Sequence, residues 1–166
     1  MVYSCIVSFR KSRRKQHSGL MVKRSAPGRG LGLYTEVPIK RGAFVIEYTG
    51  HLISTSVADT LKTKYLFEID EKVTVSGSHR GNIARYINHS CEPNCEAEID
   101  GTRIMIYAKK NIRAGEELFC DYGDEYFNEF IKPHGCKCPK CIEVFGRRGG
   151  KPARSRGSLL VNKKKR

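Results

Sequence analysis

Between Leu31 and Tyr122 the chain is cut into short β-type runs, and this punctuation limits it to folds built from small sheets. The runs are AFVIEYTG (43–50), KYLFEID (64–70), KVTVSG (72–77), RIMIYA (103–108) and ELFCDYG (117–123). Each is rich in β-branched or aromatic residues, which suit a pleated, half-buried surface, and each is bounded by Gly, Asp, Asn or Ser. Helical signals are few. STSVADTLKTK can form a short helix capped by Ser54, whose hydroxyl would satisfy an otherwise orphaned amide, and GDEYFNEFIK can form another. The expectation is a mainly β domain of several small sheets with long connections. A length of 166 residues leaves room for one such domain and short appendages.

One pattern repeats faintly. YTEVPIKRGAFVIEY (34–48) and YAKKNIRAGEELFCDY (107–122) each place Ile five residues after Tyr and Gly three residues after that. Each then closes on an acid followed by tyrosine, Glu47-Tyr48 and Asp121-Tyr122. They read as two similar turn-and-strand units. Tyrosines at strand ends are as a rule half-buried core, so the echo by itself assigns no chemistry.

Charge separates the ends from the middle. The net charge is +14, yet residues 1–25 hold seven Lys/Arg and no acid, and residues 147–166 hold nine and none. That leaves 15 basic against 17 acidic residues in 26–146. Within basic tails at 1–19 and 147–166, the runs Arg10-Lys11-Ser12-Arg13-Arg14-Lys15 and Lys163-Lys164-Lys165-Arg166 are low in apolar content and are expected to be disordered when free. They suit sequence-independent contact with nucleic-acid phosphate, or nuclear import. Within the body, Glu92 to Glu129 contains ten acids and four Lys/Arg, which suits a basic peptide partner. There is no run of about 18 apolar residues, so no membrane span is expected. The start, MVYSCIVSFRKSRRKQ, lacks the apolar core of a secretory signal.

Seven cysteines are present, three of them in GCKCPKC. In a chain that is not secreted, such crowding points to metal ligation before disulfides. Cys136, Cys138 and Cys141 offer three thiolates toward tetrahedral zinc. A fourth ligand is required: Cys91 and Cys95 are the natural candidates, with His134 and Cys120 behind them. Cys91 and Cys95 sit in RYINHSCEPNC (85–95), where Asn88-His89-Ser90 also matches a glycosylation sequon. In a chain that is never exported the sequon has no meaning. PGRGLGLYT has glycines at 28, 30 and 32, which let backbone amides and carbonyls approach a ligand closely. A proline-containing turn follows, so no helix N-terminus is available for a pyrophosphate.

GRGLG, IEYTG, YLFEID, GNIARYINHSCEPNC, EELFCDYG and CKCPKC follow one another in the order of SET-domain protein-lysine N-methyltransferases with a post-SET zinc motif. The chain resembles that family over roughly residues 20–142. The resemblance implies a SET domain at 20–128, with several small sheets and a pseudoknot-like crossing, and a zinc-bound post-SET segment at 129–146. It implies S-adenosylmethionine as methyl donor, its methionine part against the backbone of Arg29, Gly30 and Leu31. The backbone of Asn88 and His89 would lie beside the adenine, with Arg85 and Tyr65 also on the cofactor side. Tyr122 matches the catalytic tyrosine, and Tyr48 and Tyr65 match tyrosines of the lysine channel. Cys91 would join Cys136, Cys138 and Cys141 on a structural zinc ion, while Cys95 would be a small buried residue.

The implied substrate is a lysine of a basic protein, a histone or another chromatin protein. The implied setting is the nucleus or chromosome, with a bacterial cytoplasmic protein or a secreted effector acting on host chromatin as the alternative. A monomer is expected. The rival reading is a catalytically silent SET-like chromatin-binding module, against which the retained Tyr122, Tyr48 and Asn88-His89 argue. Three positions depart from the family pattern. His51 replaces the last acid of E-Y-x-G-E, and the cysteines are spaced C-x-C-x2-C and not C-x-C-x4-C. Cys120 stands where Phe or Tyr is usual, leaving room for di- or trimethylation. No cysteine-rich pre-SET block precedes the domain.

Overall fold

The structure is a computed structural model and describes residues 18–61 and 63–146. Apart from Ser18 and Gly19, the two expected basic tails lie outside the described residues.

The architecture is a set of small sheets. Strand β1 (Leu20–Arg24) pairs antiparallel with β2 (Leu31–Thr35), and the glycine-rich loop is the connection between them. Gly28 and Gly30 adopt positive φ there, a conformation open to glycine at no steric cost. Strand β3 (Phe44–Tyr48) belongs to a three-stranded sheet with β8 (Cys95–Asp100) and β9 (Arg103–Ala108), in the order β3-β9-β8. A second three-stranded sheet has the order β4-β6-β5, from β4 (His51–Ser54), β5 (Leu66–Glu68) and β6 (Val73–Ser76). Helix α1 (Thr55–Ala58) follows β4, with the Ser54 hydroxyl accepting from the Val57 amide as expected of its cap. His51 pairs normally with Ser76, so losing the acid there does not disturb the strand. The neighbouring Glu47 binds Arg103 through both carboxylate oxygens, at 2.6 and 2.9 Å.

All five expected β-runs contain a strand, four of them over three residues or more. ELFCDYG is the correction: only β10 (Phe119–Cys120) pairs, in parallel with β7 (Asn88–His89). The rest of its backbone is used elsewhere. The Leu118 amide donates to Leu33 O, the Phe119 amide to Asn94 Oδ1 and the Tyr122 amide to His89 Nδ1. Segments 87–94 and 117–122 therefore cross, and side chains replace the ladder of a longer strand.

The internal echo has a structural counterpart. Ile39 and Ile112 exchange both backbone hydrogen bonds, and both are buried. Gly42 donates to Ala108 O and Gly115 donates to Thr35 O, so each unit's glycine turn binds the residue after the other's first tyrosine. Both glycines have positive φ, 78° and 85°. The two units interlock reciprocally. The main core lies around them, with Leu33, Val45, Ile104, Ala108 and Leu118 at 0% exposure.

After β10 the chain makes a helical arm. It runs through α2 (Asp124–Tyr126), a π-helical turn at Phe127–Ile131 and a 3-10 turn at Lys132–His134. Gly135 (φ 77°) then reverses it before α3 (Pro139–Gly146). This arm has its own small core of Phe127, Cys136, Cys138 and Cys141, with Cys91 and Ile131 packed against it. No helix of the described residues is long and apolar enough to cross a membrane.

Candidate active site and cysteine centre

A cleft of about 1160 Å³ opens where the glycine loop, the crossing, β5 and the helical arm meet. Its wall at the glycine loop is organised by a residue that motif reading passed over. Glu117 is buried, yet its carboxylate accepts from Ser25 Oγ at 2.7 and 2.8 Å, Tyr34 OH at 3.1 Å and Asn88 Nδ2 at 2.7 Å. Arg29 Nη2 stands 3.6 Å away as its ion-pair partner. A buried carboxylate persists only when so many donors replace its water. Asn88 Nδ2 also donates to Leu31 O at 3.0 Å, so the crossing is tied directly to the glycine loop. A methyl group on Gly32 would overlap the Glu117 carboxylate, so this backbone approach needs glycine. The only hint of Glu117 in the sequence was its place in EELFCDYG.

Tyrosines form the opposite end. Tyr122 OH donates to Ile87 O at 2.6 Å, and Tyr48 OH donates to Tyr65 O at 3.0 Å. Tyr122 is 38% exposed because it lines the open cleft, while its hydroxyl is tied to Ile87 O. Burial pushes the Tyr122 hydroxyl well above its ordinary pKa, and burial likewise raises Tyr48 to about 12. Tyr65 goes the other way. Its partial burial opposes ionisation, but hydrogen bonds and charge from Arg85 and Lys64 bring it below the ordinary value. The Arg85 guanidinium lies 3.7 Å from the Tyr65 ring centroid and also donates to Ser78 O. Tyr126, not singled out in the sequence, packs edge-on against Tyr122 with centroids 5.0 Å apart at 89°.

The four sulfurs of Cys91, Cys136, Cys138 and Cys141 lie within 4.8 Å of one another. Cys91 Sγ is 3.8 Å from Cys136 Sγ and 3.7 Å from Cys141 Sγ. Zinc–sulfur bonds of about 2.3 Å in a tetrahedron put sulfurs about 3.8 Å apart, so the donor set fits Zn²⁺. The thiols polarise one another: a hydrogen bond from Cys136 pulls Cys138 down to about 4, while burial pushes Cys91 up to about 12. Cys95 is wholly buried and outside the cluster.

His89 joins the two centres. Its Nδ1 accepts from the Tyr122 amide at 3.3 Å, which leaves the proton on Nε2, 3.5 Å from Cys91 Sγ. Burial lowers its pKa, partly offset by Asp121, whose Oδ1 is 3.8 Å from Nδ1. Neutral His89 thus bridges the cysteine cluster and the backbone of Tyr122.

All the expected donor-side and channel residues line this one cleft: Arg29, Gly30, Leu31, Arg85, Asn88 and His89, and Tyr48, Tyr65 and Tyr122. The acidic stretch does not reach it whole. Of its ten acids only Asp121, Asp124, Glu125 and Glu129 line the cleft, joined from the other wall by Asp59 and Glu68. Glu117 is spent on the glycine loop, and Glu92 pairs with Lys140 at 3.1 Å.

The chain matches the family described as the SET domain over residues 30–123. It is 36% identical over 153 residues to the Drosophila melanogaster protein named histone-lysine N-methyltransferase trr, covering 84% of this chain and 6% of that one. It is 44% identical over 125 residues to a Schizosaccharomyces pombe histone-lysine N-methyltransferase named as H3 lysine-4 specific, covering 67% and 13%. The Emericella nidulans protein of the same name is 45% identical over 104 residues, covering 55% and 8%. The chain therefore spans only a small fraction of the length of these relatives.

Proposed function

The chain belongs to the SET-domain family, and from that premise we propose that it is an S-adenosylmethionine-dependent protein-lysine N-methyltransferase acting on a histone or another chromatin protein in the nucleus. The observation that carries this reading is the meeting of the glycine loop, the Asn88-His89 crossing and the tyrosines in one cleft. The names of the relatives support a histone tail as substrate, and the acids of both cleft walls suit its basic side chains.

The donor-facing wall fits the methyl donor. Among the described residues, Nε and Nη1 of Arg29 and Nε of Arg85 are buried without a hydrogen-bond partner, which leaves donors for an acceptor such as a carboxylate. Gly30 faces open space, giving a bare backbone cradle. Arg29, Gly30 and Leu31 would hold the methionine part, and the Asn88-His89 backbone the adenine, with Arg85 and Tyr65 alongside. When bound, S-adenosylmethionine supplies a methyl group on a positive sulfonium, open to in-line displacement by a neutral amine.

This chain's residues would prepare that amine. Lysine titrates at about 10.4, so well under about 1% is neutral at pH 7. A tyrosine-walled chamber strips water from the ammonium and favours loss of its proton to solvent. Tyr122 and Tyr48 give their own protons to Ile87 O and Tyr65 O. Their phenol oxygens are thereby left to accept an N–H from the substrate amine and aim its lone pair. Weak C–H···O contacts to a polarised methyl use the same oxygens. The zinc ion would be structural, held by Cys91, Cys136, Cys138 and Cys141, and would close segment 129–146 over the body at 20–128. The basic tails, 1–19 and 147–166, would add nucleic-acid contact.

The test mixes the whole chain with isotopically labelled S-adenosylmethionine and a panel of basic proteins, and locates added methyl groups by mass spectrometry. Label on a histone lysine is expected. A chain that binds S-adenosylhomocysteine but transfers no methyl group would be a silent binding module instead.

A further inference from the structure

The two interlocked turn units carry a cluster of charge that the cleft does not use. Ile39 and Ile112 exchange both backbone hydrogen bonds, and a second tie joins Gly42 and Ala43 to Ala108. Between these ties Lys40-Arg41 runs beside Lys109-Lys110-Asn111, and Asn111 Oδ1 accepts from the Arg41 amide at 2.9 Å. Arg113 follows Ile112 as Lys40 follows Ile39, so the sequence echo repeats a cation after each buried isoleucine. All five basic residues are exposed. They are five of the 15 Lys/Arg in residues 26–146, a body in which acids outnumber bases by 17 to 15.

Three Cα steps of about 3.8 Å separate Ile39 from Gly42, so the four cations between the ties share a platform no longer than about 11 Å. Backbone hydrogen bonds hold that platform whatever the side chains do. Among the described residues none of the five is in an ion pair. Glu92, whose carboxyl feels Lys110, is already bound by Lys140 at 3.1 Å. Glu36 and Glu116 adjoin the Thr35–Gly115 contact, on the Arg113 side. Like charges gathered this closely favour a partner that brings closely spaced negative charge. Duplex DNA carries one charge per about 1.7 Å of axis, so about 11 Å spans about six phosphates. A single strand would need aromatic faces on which to stack its bases. The neighbouring rings, Phe44 and Tyr107, are half-buried and packed edge-on against each other at 5.7 Å.

We propose that Lys40, Arg41, Lys109 and Lys110, with Arg113 at the edge, form a docking surface for the phosphate backbone of duplex DNA, independent of base sequence. This surface belongs to the folded body and is separate from the basic tails. None of the five residues lines the cleft. Strand β3 runs from Phe44 beside the patch to Tyr48 in the cleft, about 13 Å at the usual strand rise. DNA on the turns and a peptide in the cleft thus engage opposite ends of one strand.

Binding of the whole chain to a labelled duplex of about 20 base pairs is read by fluorescence anisotropy between about 0.05 M and about 0.2 M salt. Combining Lys40→Gln, Arg41→Gln, Lys109→Gln and Lys110→Gln should weaken binding at least about tenfold, equally on two unrelated sequences. The slope of log K against log salt should flatten by about 3 to 4. Zinc content and Tm should not change. Unchanged affinity and slope would assign all DNA contact to the tails and overturn the proposal. Tighter binding of a single strand than of the duplex, lost in the same variant, would overturn the choice of duplex DNA. A footprint needs no variant. Duplex DNA should protect Lys40, Lys109 and Lys110 of the parent from acetylation at least about threefold more than the exposed Lys72, counted by mass spectrometry. Equal protection would overturn the patch even where the fourfold variant fails to fold. Neither readout involves methyl transfer, so loss of the proposed activity would leave this surface standing.

Discussion

Tyr122 is held at both ends, its amide by His89 and its hydroxyl by Ile87 O, so the phenol oxygen has little freedom in the cleft. Tyr122→Phe should lower kcat by about 10²-fold or more while leaving S-adenosylhomocysteine affinity in place, as steady-state kinetics and calorimetry would register. The pH dependence follows from the raised tyrosine pKa values. Folding holds Tyr48 at about 12 against about 10 in the unfolded chain. Its contribution to stability is therefore full below about pH 10 and disappears as pH rises through 12. Turnover should climb with pH as the substrate lysine deprotonates, with no downturn from Tyr122 or Tyr48 before about pH 10 in a pH–rate profile. Cys120→Tyr should fill the floor of the chamber and shift the product toward monomethyl-lysine by mass spectrometry; an unchanged ratio would contradict that role. Gly32 is a packing constraint. The Glu117 carboxylate it touches is pinned by Ser25, Tyr34, Asn88 and Arg29 and has nowhere to go. Gly32→Ala should cost about 1–3 kcal/mol, seen as a lower Tm, and should weaken S-adenosylhomocysteine binding.

The helical arm is assembled from short turns, none of which could stand alone. What organises it is the cysteine cluster, and His89 passes that order on to Tyr122. Removing zinc with a chelator, or substituting Cys138→Ser, should lower activity at least about tenfold. It should also speed hydrogen exchange across 119–126, read by mass spectrometry. Unchanged exchange there would mean that the arm and Tyr122 are independent. The strands most easily read were β3, β6 and β9, where β-branched residues run together. Strand β1, with two basic residues in LMVKR, gave too little signal, and β7 and β10 are only two residues long. Helix α3 was missed because its eight residues begin inside the cysteine motif, whose spacing speaks for metal before helix.

Charge acts across the entire protein. Acids from both walls face the cleft, while Arg29 and Arg85 line the part proposed for the methyl donor. Raising salt from about 0.05 M to about 0.5 M should raise KM for a basic peptide with little change in kcat, because screening weakens the encounter and not the chemistry. Deleting residues 1–15 and 151–166 should reduce activity and its salt dependence on nucleosomes; no change in either would remove the tails from the mechanism. By itself the sequence determined what short motifs carry: a mainly β body, a glycine loop, two acid–tyrosine units and three of the four cysteine donors, Cys91 being singled out only by the family resemblance. These depend on residue type and local spacing, which a linear reading sees. Only the tertiary structure decided that Glu117 is buried beneath the glycine loop and that Tyr126 leans on Tyr122. It alone placed His89 between Cys91 and the Tyr122 amide, and brought Asp59 and Glu68 to the acidic rim. Those relations come from a crossing that brings residues 29 to 92 positions apart within hydrogen-bond distance, and no local spacing encodes such a meeting.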